Sequence, residues 1–242
     1  VPGGVFIRMN RPEKRNAVND ALAAAVAAAI DAAEADPEVR VIVLTGTGNS
    51  FCAGQDMAEA TGRTTPSAPE RAGGVGSINA RLARTEKPVV AAINGFCMGG
   101  GTVTALQCDI RLCSEEATFR FPGAAYGLVV AASLLPAAVG QARAKDLILT
   151  GRTIAAREAY EMGLVNRVVA SDALDADALR YVEMIAANSP GAVRFAKKVI
   201  DAAVLDEQAA ALEREANREL RGGAEHRDRF ERATDRVVGP RA

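Results

Sequence analysis

The chain has 242 residues, is 49% hydrophobic and carries a formal net charge of −1, enough to bury one large core and with no charge excess that would select nucleic acid. Cys52, Cys97, Cys108 and Cys113 have no CxxC spacing and the single histidine, His226, lies in a charged tail, which argues against a bound metal. No charged start leads into an apolar segment and no apolar run approaches ~18 residues, so neither a signal peptide nor a membrane span is expected, and the working location is the reduced cytoplasm.

Val5 to Met9 reads as a strand, followed by the polar turn segment Asn10-Arg11-Pro12-Glu13-Lys14-Arg15-Asn16. Asn19 or Asp20 can cap a helix to about Glu34, with Leu22, Val26 and Ile30 on one face and alanine over most of the rest. Val39 to Thr45 is β-branched and nearly uncharged, as expected of a strand buried on both faces. A second strand and a small-residue turn follow in Phe51-Cys52-Ala53-Gly54-Gln55-Asp56-Met57. Thr61 to Ser77, rich in Gly, Pro, Thr and Ser, reads as a mobile loop, either a lid or binding loop or a solvated excursion.

The apolar run Val89 to Ile93 ends at Asn94-Gly95, and Gly99-Gly100-Gly101 then open a segment with no helix breaker before Asp109. Glycine in a helix costs about 1 kcal/mol relative to alanine, so three at one helix start need a reason. Either a ligand group lies against bare backbone, where the free N–H groups suit an oxyanion or a polarised carbonyl, or the helix packs closely on a strand. Strand patterns recur at Ile110 to Cys113, Ala117 to Phe121 and Leu164 to Val169. Helical patterns occupy Ala142 to Thr150 and Ile154 to Met162, each followed by glycine. From Ser171 onward the pattern is helical, broken at Asn188-Ser189-Pro190-Gly191. Strands alternating with helices and then helices alone give an α/β core, residues 1–190, with a helical segment, residues 191–242, whose apolar faces are expected to pack on a neighbouring subunit.

Several of these segments, in order, closely resemble the crotonase family, the enoyl-CoA hydratase/isomerase superfamily. They are Asn10 to Ala17, Ser50 to Met57, Asn94 to Gly101, Cys108-Asp109-Ile110-Arg111, and Thr150-Gly151-Arg152 through Gly163-Leu164-Val165-Asn166. The resemblance implies a spiral of ββα units assembled as trimers or hexamers, acting as lyase or isomerase in fatty acid metabolism on an acyl-CoA thioester, with coenzyme A as part of the substrate and no separate cofactor. It implies that the amides of Gln55 and Gly100 accept the thioester oxygen, that Ala53, Gln55, Asp56, Met57, Ala58 and Gly99 line the coenzyme A site, and that Lys14 and Arg15 approach the nucleotide.

The departures bear on the reaction. Where the resemblance places catalytic acids, the chain has Val103, Gly123 and Ala131. Hydration needs one group to take a proton from water and one to protonate carbon, each worth about 10²–10⁴-fold, and these residues can do neither. Tyr126 is the nearest polar candidate for proton donor, with a half-buried aromatic of no catalytic role as the alternative; Glu59 and Glu70 are candidates for a single base, and Arg120 for steering a carboxylate. Three expectations result: an enzyme working by enolate stabilisation without two-glutamate hydration, a catalytically silent acyl-CoA-binding protein, or a structural subunit.

Overall fold

The computed structural model describes residues 2–62, 73–204 and 206–239. Strand β1 (Gly4–Met9) leads through a 3-10 turn to α1 (Asp20–Ala35). Then come β2 (Val41–Gly46), β3 (Ser50–Cys52), α2 (Met57–Ala60), α3 (Gly74–Leu82), β4 (Val89–Ile93), β5 (Phe96–Met98), α4 (Gly100–Gln107), β6 (Ile110–Ser114) and β7 (Thr118–Arg120). The chain continues through α5 (Leu135–Val139), α6 (Gln141–Thr150), β8 (Thr153–Ala155), α7 (Ala156–Met162) and β9 (Arg167–Val169) to α8 (Leu174–Ala186), α9 (Pro190–Val204), α10 (Glu207–Leu220) and α11 (Ala224–Val238).

The strands divide between two sheets. One is wholly parallel, ordered β1-β2-β4-β6-β9; the other is ordered β3-β5-β7-β8, with only β8 antiparallel. Each ββ unit thus gives its first strand to one sheet and its second to the other, and the chain winds forward as a spiral. This is the α/β arrangement of ββα units expected from the resemblance. Successive side chains of a strand face opposite ways, and the core splits accordingly. Ile42, Leu44, Val89, Ala91 and Ile93 join the main apolar cluster with α1 and α3, while Val41, Val43, Val90 and Ala92 meet Leu174, Ala178 and Val182 of α8. Burial on both sides explains why β2 and β4 read as unbroken apolar runs.

The smooth face of α1 sits on this sheet. The Asn19 side chain accepts the Leu22 N–H at 3.0 Å, and Glu59 Oε2 accepts the Asp20 N–H at 2.8 Å, so two helix-start donors are satisfied. Asp109 Oδ2 accepts the Val89 N–H at 2.7 Å and Lys197 Nζ at 2.9 Å, tying α9 to the beginning of β4.

Two sequence expectations need correction. The loop expected over Thr61–Ser77 ends earlier, because α3 starts at Gly74 and buries Ile78 and Leu82; residues 63–72, including Glu70, lie outside the described residues. Ile154 and Ala155 are not helical: they form β8 against Phe119 and Thr118, and the helix begins at Ala156. The terminal helices reach back to their own core, with Asn217 bonded to both backbone groups of Val129 (3.0 and 2.6 Å) and Glu213 Oε2 accepting the Ser133 N–H at 2.7 Å. On α9, Phe195, Val199, Ile200 and Val204 remain exposed. Among the described residues no helix is long and apolar enough to cross a membrane.

Candidate active site

The turn after β3 is shaped by the segment from Arg15 to Val18. Arg15 and Asn16 both have left-handed backbone (φ 51° and 54°), and Asn16 is fully buried. Its Oδ1 accepts the Arg11 N–H at 2.8 Å, while Nδ2 donates to Thr47 O at 3.0 Å and Ser50 O at 2.7 Å. This one side chain therefore fixes the polar turn against the start of β3. From there Arg15 O accepts the Ala53 N–H, Val18 N–H donates to Gly54 O and Asp56 N–H to Val18 O, forming a single parallel bridge between Val18 and Gln55. In a parallel bridge the residue flanked by the two bonds turns its own N–H and C=O the other way. The Gln55 N–H accordingly has no acceptor among the described residues.

Gly54 has φ +94°, and a Cβ built on it would stand 2.9 Å from Gly100 N and 3.0 Å from Met98 O. Only a bare α-carbon fits, and it brings the Gly54–Gln55 turn against the start of α4. Gly99 has φ +55° and donates its N–H to Arg120 O at 3.1 Å, next to Pro122. Gly100, the first residue of α4, has no helical acceptor for its N–H, and none is found among the described residues. A Cβ on Gly101 would meet Cys52 O at 2.2 Å. Close packing thus accounts for Gly101, whereas Gly100 is bordered by a side chain, Val75, whose Cγ1 would lie 2.7 Å from a Cβ there.

Asp56 is committed to structure. Its Oδ1 accepts the Ala58 and Glu59 N–H groups at 2.9 and 3.2 Å, capping α2, and Oδ2 pairs with Arg11 at 2.5 Å. Burial alone would raise its carboxyl, but the Arg11 hydrogen bond and charge and the α2 amides outweigh it and hold the group below the ordinary carboxylate range. Glu59, a candidate base in the sequence, is occupied by the Asp20 N–H at the start of α1. Ala53 and Met57 are half-buried and Ala58 is buried around the same turn; Lys14 and Arg15 are exposed, with the Arg15 guanidinium 4.4 Å over the Phe96 ring.

Val103 is half-buried against the main apolar cluster. Gly123 is buried and follows Pro122, and the Val130 side chain fills the space beside it. Ala131 is 1% exposed with φ +65°, a strained conformation for a residue bearing a Cβ. Tyr126 is half-buried, its ring edge-on to Phe230 at 6.1 Å and its carbonyl bonded to His226 Nδ1 at 2.9 Å. Arg120 Nε donates to Gly151 O at 2.8 Å, so that side chain supports the fold. All four cysteines are buried free thiols; burial pushes Cys52, Cys108 and Cys113 up to about 12 and Cys97 well up, which makes them inert.

Two cavities, of about 600 Å³ between β1 and α1 and about 410 Å³ beside Glu34, Arg40, Glu86 and Arg194, include none of Gln55, Gly100 or Gly123.

A family model described as enoyl-CoA hydratase/isomerase matches residues 3–236. The chain belongs to the enoyl-CoA hydratase/isomerase family, the crotonase superfamily. It is 37% identical over 196 residues to a mevalonyl-coenzyme A hydratase of Aspergillus fumigatus, covering 80% of this chain and 73% of that one. Its fold matches an enoyl-CoA hydratase/isomerase of Pseudoalteromonas atlantica with a TM-score of 0.85 at 34% identity, over 96% and 94% of the two chains. A monofunctional enoyl-CoA isomerase from M. smegmatis matches with a TM-score of 0.73 at 30% identity, over 84% and 90%. Members of this family act on coenzyme A thioesters.

The residues that sequence reasoning missed are Val75 and Val130. Val75, Ile78 and Leu82 stand at i, i+3 and i+7 after two glycines, a helical signal hidden by the Gly/Ser content around it.

Proposed function

We propose that the chain binds an acyl-CoA thioester with its carbonyl oxygen between the N–H groups of Gln55 and Gly100, and acts by stabilising the negative charge that an enolate places on that oxygen. The observation that carries this is the packing of Gly54 on the Gly100 amide, which leaves two backbone donors open at one place. Fixed donors cost no reorganisation as negative charge develops, and the loss of one typically costs ~2.7–4 kcal/mol. Ala53, Met57, Ala58 and Gly99 line the same turn pair on this reading, Asp56 holds it in shape, and Lys14 and Arg15 offer exposed cations for coenzyme A phosphates. No cofactor beyond the substrate's own coenzyme A is invoked.

Hydration through two glutamates is not part of the proposal, since Val103, Gly123 and Ala131 stand at the positions considered for acids. Tyr126 is the proposed proton donor, because its hydroxyl has no partner among the described residues and it follows Gly123 in the same turn. The filling of the Gly123 side-chain space by Val130 favours a second reading, an acyl-CoA-binding protein without turnover. The exposed apolar face of α9 supports assembly of residues 191–242 into a trimer or hexamer. Titration with acetyl-CoA and crotonyl-CoA tests the common part, and no binding at millimolar ligand would end both readings. Turnover of enoyl-, dienoyl- and malonyl-type thioesters separates them.

A further inference from the structure

The side chain of Gln55 performs a task separate from that of its backbone. Its Oε1 accepts the Val75 N–H at 3.1 Å, so the residue that supplies one open amide also caps the N-terminus of α3. The approach is close: Gly74 has φ +54°, and a Cβ there would lie 2.1 Å from Gln55 Oε1. Gly73, also left-handed at φ +76°, lets the chain turn onto the carboxamide. Farther along, Thr104 Oγ1 of α4 donates to Asn79 Oδ1 of α3 at 2.7 Å and Ile78 is fully buried, so α3 is fixed to α4 at its middle and to Gln55 at its start.

These two attachments decide where Val75 stands. Its three side-chain carbons would lie 2.7, 3.1 and 3.3 Å from a Cβ on Gly100. In a helix the Cα–Cβ bond leans toward the N-terminus, the direction in which the N–H also points. The methyls of Val75 therefore border the space in which an acceptor of the Gly100 N–H must lie, and whatever is attached to that acceptor meets them.

We propose that Val75 is the specificity-determining wall beside the thioester carbonyl, and that the Gln55 carboxamide is the positioning group that holds it there. The wall selects acyl groups unbranched at the α-carbon. This rests on the acyl-CoA reading above, whereas the attachment of α3 to Gln55 does not.

The experiment compares the unaltered protein with Val75→Ala, Val75→Ile and Gln55→Ala, using acetyl-CoA and isobutyryl-CoA as linear and α-branched probes and hydrogen exchange of residues 73–79 in the free protein. Val75→Ala is expected to shift the dissociation-constant ratio at least fivefold toward isobutyryl-CoA, and Val75→Ile to shift it the other way. Gln55→Ala, which retains the backbone N–H, is expected to speed exchange in 73–79 and to relax the preference in the same sense as Val75→Ala. Equal effects of the Val75 substitutions on both probes would overturn the wall, and unchanged exchange in Gln55→Ala would overturn the positioning role. If the unaltered protein bound neither probe, the acyl-CoA reading and the wall would fall together, while the exchange data would still decide the attachment of α3.

Discussion

Val130 occupies the place where a side chain on Gly123 would begin. A Cβ on Gly123 would stand 2.9 Å from Val130 Cβ and 3.0 Å from Leu128 O, neither of which is the free end of a flexible chain. Gly123→Glu therefore requires the 128–130 turn to move, at a cost typical of overpacking, about 1–3 kcal/mol. Thermal melting should show the loss for Gly123→Glu and partial recovery in Gly123→Glu with Val130→Ala. Equal stability of Gly123→Glu and the unaltered protein would show that the turn yields freely.

Replacing Gln55 by Pro isolates the backbone donor. The bridge to Val18 uses Gly54 O and Asp56 N, so losing the Gln55 N–H breaks none of its bonds. Gln55→Ala removes the carboxamide alone, and the further loss in Gln55→Pro reports the amide. That loss should be about 10²–10³ in kcat for any turnover detected. Comparable rates for the two variants would place the carbonyl elsewhere.

The pairing of Asp56 with Arg11 predicts acid sensitivity of known sign. The folded-state carboxyl is held below its unfolded value of about 3.9, so its contribution to stability is complete above that pH and disappears as pH falls through the folded value. Asp56→Asn should lower the denaturation midpoint at pH 7 and flatten its fall as the pH drops below the unfolded carboxyl value. A parallel pH profile in the variant would remove Asp56 as the source.

Asn16 is expected to be among the costliest polar substitutions in the chain. Asn16→Ala leaves Arg11 N–H, Thr47 O and Ser50 O without their partner inside the protein, and a loss of about 3 kcal/mol is expected in urea denaturation. Asn16→Asp should be at least as harmful, because a carboxylate oxygen would face the two carbonyls. A loss below about 1 kcal/mol for both would mean that water replaces these bonds.

Assembly is tested on α9. Phe195→Glu with Val199→Glu places charge on a face that is exposed in the single chain, at 59% and 66%, so the fold should survive. Sedimentation should then show a smaller species than the unaltered protein. An unaltered protein that sediments as a monomer would dispose of the proposed oligomer.

The legible parts of the chain were those where local chemistry and tertiary placement agree. Val39 to Thr45 reads as a doubly buried strand, and β2, Val41–Gly46, is buried throughout; Asn19 caps α1 as its side chain suggests. The convergence of Gly54 with Gly100 came through the resemblance, not through spacing. Helix α3 is obscured because Gly73 and Gly74 look like loop residues, whereas Gly74 is required by the close approach of Gln55 and Gly73 by its left-handed backbone. Ile154 and Ala155 carry a helical pattern but take the extended form that pairing with β7 offers. The obstruction at Gly123 comes from Val130, a long-range neighbour in volume if not in sequence, and no periodicity announces it.

The four enclosed thiols give the molecule a built-in clock. With burial pushing Cys52, Cys108 and Cys113 up to about 12 and shutting them away from solvent, an alkylating reagent must wait for the chain to open before it can react. Mass spectrometry of modified cysteines over time would therefore record opening rates strand by strand, since Cys52, Cys97 and Cys113 lie on β3, β5 and β6 and Cys108 closes α4.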